Sequence, residues 1–481
     1  MMDEHELLLG QPPERFLTGD ESATLDDDGA VFVVLDDDPT GTQSVRDLPV
    51  LTTWAVADFT WAFESGARAV YVLTNTRSLD PAAAAARDAE VVRHALAVGG
   101  TRRLAFVSRS DSTLRGHFPL ETDVIAETLR HERGTTVDGI LIVPAFPDAG
   151  RITVDGVHYV RAGSEMVEVA ATDYARDATF GYTHSDLADW VAEKSGGRYA
   201  AGAVVRLGLG VVRHGPAAVA ALLSQVDGGS PVVVDAVTDD DLRVVAAGLA
   251  RAEAAGKVFL YRVGPPFVRA RIGQGAAGPL TEAQLAGLST DDRGGLIVVG
   301  SHVELTTRQL ARLIAARPDL TAVELDAATA DSDAADYAAT ISASVADALT
   351  RGDVVLFTSR SLIRGADADE SLRLARRVSE LVVSVVRGVS EITTPRFVVA
   401  KGGITSSDVA TEGLGIRRAI VRGSLLPGLV SLWQPAEGPA RGVPFVVFAG
   451  NVGDDDSLAV VVDRLSARPT GRGGPEDEEK E

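Results

Sequence analysis

Short, unbroken apolar runs recur along the chain, and each ends abruptly in polar residues. Val31-Phe-Val-Val-Leu35 runs into three acids, and Ala69-Val-Tyr-Val-Leu73, Leu104-Ala-Phe-Val-Ser108 and Gly139-Ile-Leu-Ile-Val-Pro144 follow it. An uninterrupted run, unlike an alternating one, marks a strand covered on both faces, which is the habit of parallel sheets. Ala-rich stretches over residues 80–98 and 120–130 separate these runs and predict helices. The alternation predicts an α/β fold with a mostly parallel sheet and helices on both of its faces. It continues through Ala203-Val-Val-Arg-Leu207, Pro231-Val-Val-Val-Asp235 and Val258-Phe-Leu-Tyr261.

Glycine, proline and charge then crowd residues 271–294, with Gly273, Gly275, Gly278 and Pro279 among them, and predict a linker. A second series opens at Leu296-Ile-Val-Val-Gly300 and runs through Val354-Val-Leu-Phe357, Arg396-Phe-Val-Val-Ala400 and Phe445-Val-Val-Phe448. The expected organisation is a flexible or loosely docked N-terminal arm over 1–29 and an α/β domain over 30–270. The linker 271–294, a second α/β domain over 295–465 and a disordered acidic tail over 466–481 complete it. Two such domains predict an active-site cleft between them.

Composition narrows the chemistry. Hydrophobic residues make up 45 % of the chain but aromatics only 5 %, so the core must be aliphatic. A formal net charge of −22 works against nucleic acid and anionic membrane as partners. Any phosphate site must then be built from backbone N–H groups and a few local Arg or Lys. The chain has no cysteine, which excludes disulfide and thiolate chemistry. Its eight histidines lack zinc-ligand spacing. The acidic N-terminus has no secretory pattern, and no apolar run approaches the roughly 18 residues of a membrane helix. A cytoplasmic location is expected.

The polar residues that close the apolar runs are the candidates for function, because open α/β sheets bind ligands at the carboxyl ends of their strands. Leu35-Asp-Asp-Asp-Pro-Thr-Gly41 offers Asp37, Asp38 and Thr40 to bind hydroxyls or act as a base, against the alternative of a solvated acidic turn. Ser108-Arg-Ser-Asp-Ser-Thr-Leu-Arg-Gly-His117 packs Arg109, Asp111, Ser112, Arg115 and His117 into one loop, with Gly116 between the last two, against the alternative of an exposed loop with internal salt bridges. Arginine forks there suit a carboxylate or phosphate, and an aspartate suits a hydroxyl proton. Arg151 and His158 are further candidates for anion or hydroxyl binding, with a structural hairpin and a satisfied His158 as the alternative. In the second series, Gly300-Ser301, Lys401-Gly-Gly-Ile-Thr-Ser406 and Ala449-Gly-Asn-Val-Gly453 each follow a strand. Glycines let backbone N–H groups approach an anion, although the lysine precedes the glycines and the pattern is not a Walker A loop.

Together these segments resemble the four-carbon acid sugar kinase family. Asp37-Asp-Pro-Thr-Gly41 is similar to its Asp-Asp-x-Thr-Gly motif, Asp111-Ser-Thr-Leu-Arg-Gly116 to its Asp-Ser-Thr-x-Arg-Gly motif, and Pro144 to Tyr159 to its Pro-Ala-Phe-Pro…His-Tyr segment. The resemblance runs from about residue 31 to 458. It implies a first domain that binds the sugar acid, lined by Asp37, Asp111, Ser112 and Arg115. The second domain would bind ATP through Ser301, Gly402, Gly403, Ile404, Thr405, Ser406 and Gly450. It implies an ATP-dependent phosphotransferase with an alcohol group as acceptor, acting on a threonate, erythronate or 2-oxo-tetronate type of acid at a terminal hydroxyl. Two positions depart from the family pattern: Thr42-Gln43-Ser44 stands where an acid is common, and Ile404 follows the glycine pair. They leave the sugar acid open.

The expected mechanism has Arg115 on the substrate carboxylate and Asp37 or Asp111 on the reacting hydroxyl, with Mg²⁺ on the ATP phosphates. The expected partners are the sugar acid and ATP, with a homodimer as the candidate assembly. The alternatives are a catalytically silent, effector-like binding protein on the same fold and a kinase for a different small hydroxy acid. A dinucleotide oxidoreductase is disfavoured, because acids stand where Gly-x-Gly-x-x-Gly would follow the first strand.

Overall fold

The computed structural model describes residues 2–26, 29–288, 292–326, 334–360 and 368–467. The chain forms two compact units: residues 1–278 with 416–436, and residues 279–415 with 437–481.

In the first unit the seven predicted apolar runs become strands, and segments around them supply five more up to residue 263. They are β1 (Met2–Asp3), β2 (Ala30–Asp36), β3 (Leu48–Leu51), β4 (Ala69–Leu73), β5 (Arg103–Arg109), β6 (Gly139–Val143), β7 (Arg151–Val154), β8 (Val157–Ala162), β9 (Glu165–Glu168), β10 (Val205–Leu207), β11 (Ser230–Val234) and β12 (Phe259–Val263). Eight of them form a parallel array in the order β10-β11-β6-β12-β5-β2-β4-β3. The central strand β2 is buried along nearly its whole length, with Phe32, Val33 and Val34 inaccessible to solvent. This is why its sequence does not alternate. The chain leaves β2 toward β3 on one side and leaves β5 toward β6 on the other. The carboxyl ends of β2 and β5 therefore flank the switch point of the sheet, where neighbouring loops diverge and leave room for a ligand.

The second unit carries β13 (Leu296–Val299), β14 (Thr321–Leu325), β15 (Val354–Thr358) and β16 (Val398–Lys401). After an excursion through β17 (Arg418–Ser424) and β18 (Ser431–Pro435), it ends on β19 (Phe445–Phe448). Its strands are all parallel, in the order β19-β16-β13-β15-β14. The switch point lies between β13 and β16.

The structure sharpens the expected domain plan in four parts. A second domain running unbroken over 295–465 is not observed: β17 and β18 belong to the first unit, where β17 pairs antiparallel with β3. There Trp433 Nε1 donates to Thr42 Oγ1 at 2.8 Å, and Thr42 in turn donates to Ser431 Oγ at 2.9 Å. Of the two readings of the N-terminal segment, its described residues take the docked one rather than the flexible one. Met2 and Asp3 pair with β9, Leu7 and Leu8 pack against Ile152, Val154 and Met166, and Arg213 donates to the Pro12 carbonyl at 2.5 Å. Its acids suggest solvent, but two leucines and a strand pairing dock it. The linker contains the short helix Glu282–Ala286. Of the acidic tail, Ser466 closes the last helix, Ser457–Ser466, while residues 468–481 lie outside the described residues. Among the described residues no helix is long and apolar enough to cross a membrane.

Candidate active site

The register of β2 against β5 sets Asp36 opposite Arg109. Their side chains form an ion pair, both almost fully buried. Arg109 also lies 3.3 Å from Asp37 and donates to the Asp38 carbonyl at 2.5 Å. A Cβ on Gly41 would collide with both the Arg109 guanidinium and the Asp36 carboxylate, so glycine lets the acidic loop close over the pair. Arg109, expected to bind substrate, is thus an internal clamp. Thr40 likewise turns inward: its N–H and hydroxyl both donate to Asp38 Oδ1, at 2.9 and 2.5 Å, which fixes the turn.

Asp37 is the buried acid of the loop, 2 % exposed. Arg77 Nε and Nη2 donate to its two carboxylate oxygens at 3.0 and 2.7 Å, and Arg77 lies 3.6 Å from Asp38. Burial nevertheless raises the Asp37 carboxyl to about 7, against the pull of Arg77 and with some help from Glu121 and Asp38. Glu121 is itself buried and accepts from Thr76 at 2.9 Å and Ser108 at 3.1 Å.

The β5 loop meets Asp37 through Gly116. At φ +122° this position favours glycine, and a Cβ there would stand 3.3 Å from Asp37 Oδ2. Two residues earlier Leu114 holds φ +70°, a left-handed conformation that costs roughly 1–2 kcal/mol in a non-glycine residue. Its fully buried side chain anchors it, and Arg262 donates to the carbonyls of Leu114 at 3.3 Å and Arg115 at 3.2 Å. The Arg262 guanidinium rests in turn on the rings of Trp190 and Phe118.

Within this loop Asp111 accepts from Arg115 Nε at 2.6 Å and from the Thr113 N–H and hydroxyl. Burial opposes ionisation of Asp111, but Arg77, Arg115, Arg151 and the Thr113 hydroxyl outweigh it and hold the carboxyl below the usual range. Three arginines therefore surround one firmly ionised aspartate. Arg115 and Arg151 also approach one tyrosine ring, Tyr174, with centroid distances of 5.2 and 5.8 Å. Arg151 Nη1 donates to Ser112 Oγ at 2.6 Å, while its buried Nε has no partner. With an unpartnered donor on Arg151 beside the Arg115 guanidinium, such a cluster can take a carboxylate in a forked contact.

His158 lies on the β7–β8 hairpin and is inaccessible to solvent. Its Nε2 donates to the Ser112 carbonyl at 2.8 Å and its Nδ1 bonds the Thr153 hydroxyl at 2.9 Å. Burial lowers its pKa to about 4, so the ring is neutral. With both nitrogens spent, His158 supports the Ser112 backbone rather than a substrate.

In the second unit three turns converge at the ends of β13, β16 and β19. A Cβ on Gly300 would strike the Thr405 side chain, one on Gly402 would stand 2.8 Å from Thr405 Oγ1 and 3.2 Å from Ser301 Cβ, and one on Gly450 2.6 Å from Ser301 Oγ. Gly402 also requires glycine for its φ of +132°. Thr306 ties the third turn down through the Gly450 carbonyl at 2.8 Å. Gly403 opens the short helix Gly403–Asp408, and Ile404 beside it is 69 % exposed. Ser406, expected to contact ATP, points inward and donates to the Ala400 carbonyl at 2.7 Å. Lys401 is also buried: its ammonium donates to the Ala449 carbonyl at 2.7 Å and sits 3.7 Å from the centroid of Phe448, and burial lowers it to about 7.

No group of three or more acidic or histidine side chains arranged to hold a metal occurs among the described residues.

Comparison with known proteins adds what geometry alone does not. Residues 32–271 match the model of a sugar-binding N-terminal domain, and residues 296–458 that of a nucleotide-binding C-terminal domain. The D-erythronate kinase of Heliobacterium modesticaldum is 28 % identical over 464 residues, covering 90 % of this chain and 96 % of that protein. The D-threonate kinase of Bordetella bronchiseptica is 29 % identical over 398 residues, covering 82 % and 85 %. A solved structure from Salmonella typhimurium LT2 shares the fold, with a TM-score of 0.66 and 19 % identity over 91 % of this chain and all of that one. The chain belongs to the four-carbon acid sugar kinase family.

Proposed function

We propose that this protein transfers the terminal phosphoryl group of ATP to a hydroxyl of a four-carbon sugar acid. The observation that carries this reading is Asp37: a buried carboxylate, titrating near neutrality, set against an arginine-rich loop at the switch point of the sugar-binding unit. A general base works best when its pKa lies near the working pH, and a base of this kind contributes roughly 10²–10⁴-fold in rate.

In this account Arg115 and Arg151 receive the substrate carboxylate, and Tyr174 keeps their guanidinium planes in place. Asp37 accepts the proton of the attacking hydroxyl as its oxygen bonds to the γ-phosphorus and the bond from phosphorus to ADP breaks. Asp111 is unsuited to that task, since three arginines keep it a weak base; it positions Arg115 instead. The glycine turns of the second unit bring backbone N–H groups to the nucleotide phosphates. Mg²⁺ would arrive on the triphosphate, and no residue of this chain is assigned to it.

Coupled ADP release, screened over D-erythronate, D-threonate, their stereoisomers and 2-oxo-tetronate, tests the proposal. Turnover with at least one of these acids is expected. Silence across the panel while ATP still binds would replace the four-carbon acceptor with an unrelated one.

A further inference from the structure

A nucleotide triphosphate brings several negative charges to a chain that already carries a formal −22. Backbone N–H groups alone offset them poorly, so the cations on the elements that carry the three glycine turns matter. Lys401 is the obvious one from sequence, but its buried ammonium is spent on the Ala449 carbonyl, and it braces the Gly450 turn from inside. Arg308 is paired with Asp455 at 2.8 Å and Glu304 at 3.1 Å.

Arg360 differs from both. It follows β15, the strand beside β13, and only Nη2 of its guanidinium is engaged, donating to the Ser301 carbonyl at 2.7 Å and to Thr307 Oγ1 at 2.6 Å. Its Nε and Nη1 are buried without a partner among the described residues, as is the hydroxyl of Thr358 at the end of the same strand. Burial lowers the arginine from its ordinary value, and no carboxylate among the described residues counters that effect. Buried guanidinium donors without a partner are costly, and donors of this kind call for an acceptor that the described residues do not supply. The acceptor must be anionic to offset the charge, and it must lie next to Ser301, where the Gly300, Gly402 and Gly450 turns meet.

We propose that Arg360 is a phosphate-binding residue of the nucleotide site, holding the β- or γ-phosphate while its Nη2 fixes the Ser301 turn. The inference rests on the reading of the second unit as the nucleotide site and adds to it a cation beside the glycine turns. It also accounts for the hydrogen bond to Ser301: the residue that orders the turn is the one that meets the ligand.

Calorimetric titration of the full chain and of Arg360→Lys and Arg360→Met with ATP, ADP and adenosine tests it. Both variants are expected to bind ATP about ten- to a hundredfold more weakly, as loss of a hydrogen bond to a charged group does. Adenosine affinity should stay within about twofold of the parent protein. Equal weakening for ATP and adenosine would make Arg360 a brace for the Ser301 turn and overturn the proposal, and so would unchanged ATP affinity in both variants. Failure of the parent protein to bind ATP at all would bring down the nucleotide reading itself, an outcome distinct from either.

Discussion

Arg77 sets two nitrogens on the two carboxylate oxygens of Asp37, at 3.0 and 2.7 Å, from a loop that follows a different strand. The pair is lopsided in effect. Two good hydrogen bonds and a full positive charge leave the Asp37 carboxyl at about 7, because burial is the larger influence. Arg77 is thus what keeps the carboxylate available near neutral pH. Replacing it with methionine should let burial act unopposed and move the acid limb of the rate profile upward by about one to three pH units. Activity of Arg77→Met at pH 7 should fall at least about tenfold and recover in part by pH 9. A limb that stays where it is in the variant would show that Arg77 does not govern this titration.

Arg115 is tied by its Nε to Asp111 and lies 3.7 Å from Asp177, with its guanidinium over the Tyr174 ring. That restraint presents the remaining nitrogens as a fork, which lysine cannot reproduce. Arg115→Lys should raise the KM for the sugar acid about ten- to a hundredfold and leave the KM for ATP unchanged. Steady-state kinetics with each substrate varied separately makes the check. A rise confined to the ATP KM would place Arg115 elsewhere in the reaction.

Asp88 gives a prediction about stability. It lies within the helix Pro81–Gly99, buried, with Oδ1 unpartnered. Burial, then the nearby Glu121 and Asp37, raises its carboxyl from 3.8 to about 9. The folded protein therefore keeps a proton that the unfolded chain gives up above about pH 4. The stability contributed by Asp88 is complete below pH 4 and is lost as the pH climbs toward 9. Asparagine does not titrate, so Asp88→Asn should raise the Tm on the order of a few °C at pH 8 and by much less at pH 5. An equal shift at both pH values would contradict the assignment.

Much of the fold is legible in the sequence, because buried parallel strands cannot hide. The runs at Val31–Leu35 and Leu104–Ser108 end in loops dense with charge, and both loops stand at the switch point. Pairing across space is harder to see. Arg109 reads as a ligand fork until the register sets it opposite Asp36, and Ser406 reads as an ATP contact until it turns back onto the Ala400 carbonyl. Arg77 gives little signal in Thr-Asn-Thr-Arg, and Arg262 hides inside the apolar run Phe259–Val263. A lone arginine in a buried strand is itself the signal there, since such a group must meet carbonyls or rings, as it does. Residues 416–436 mislead for another reason: chain order is not spatial order, and β17 pairs with a strand more than three hundred residues earlier.

The most direct measurement is the pH dependence of kcat/KM for the parent protein and for Asp37→Asn, on whichever sugar acid the screen identifies. The parent should lose activity as the pH falls through about 7, the point at which Asp37 takes up its proton. Asp37→Asn should be slower by about 10²–10⁴-fold and lack that limb. Full activity in Asp37→Asn, or the same limb persisting in it, would contradict the account.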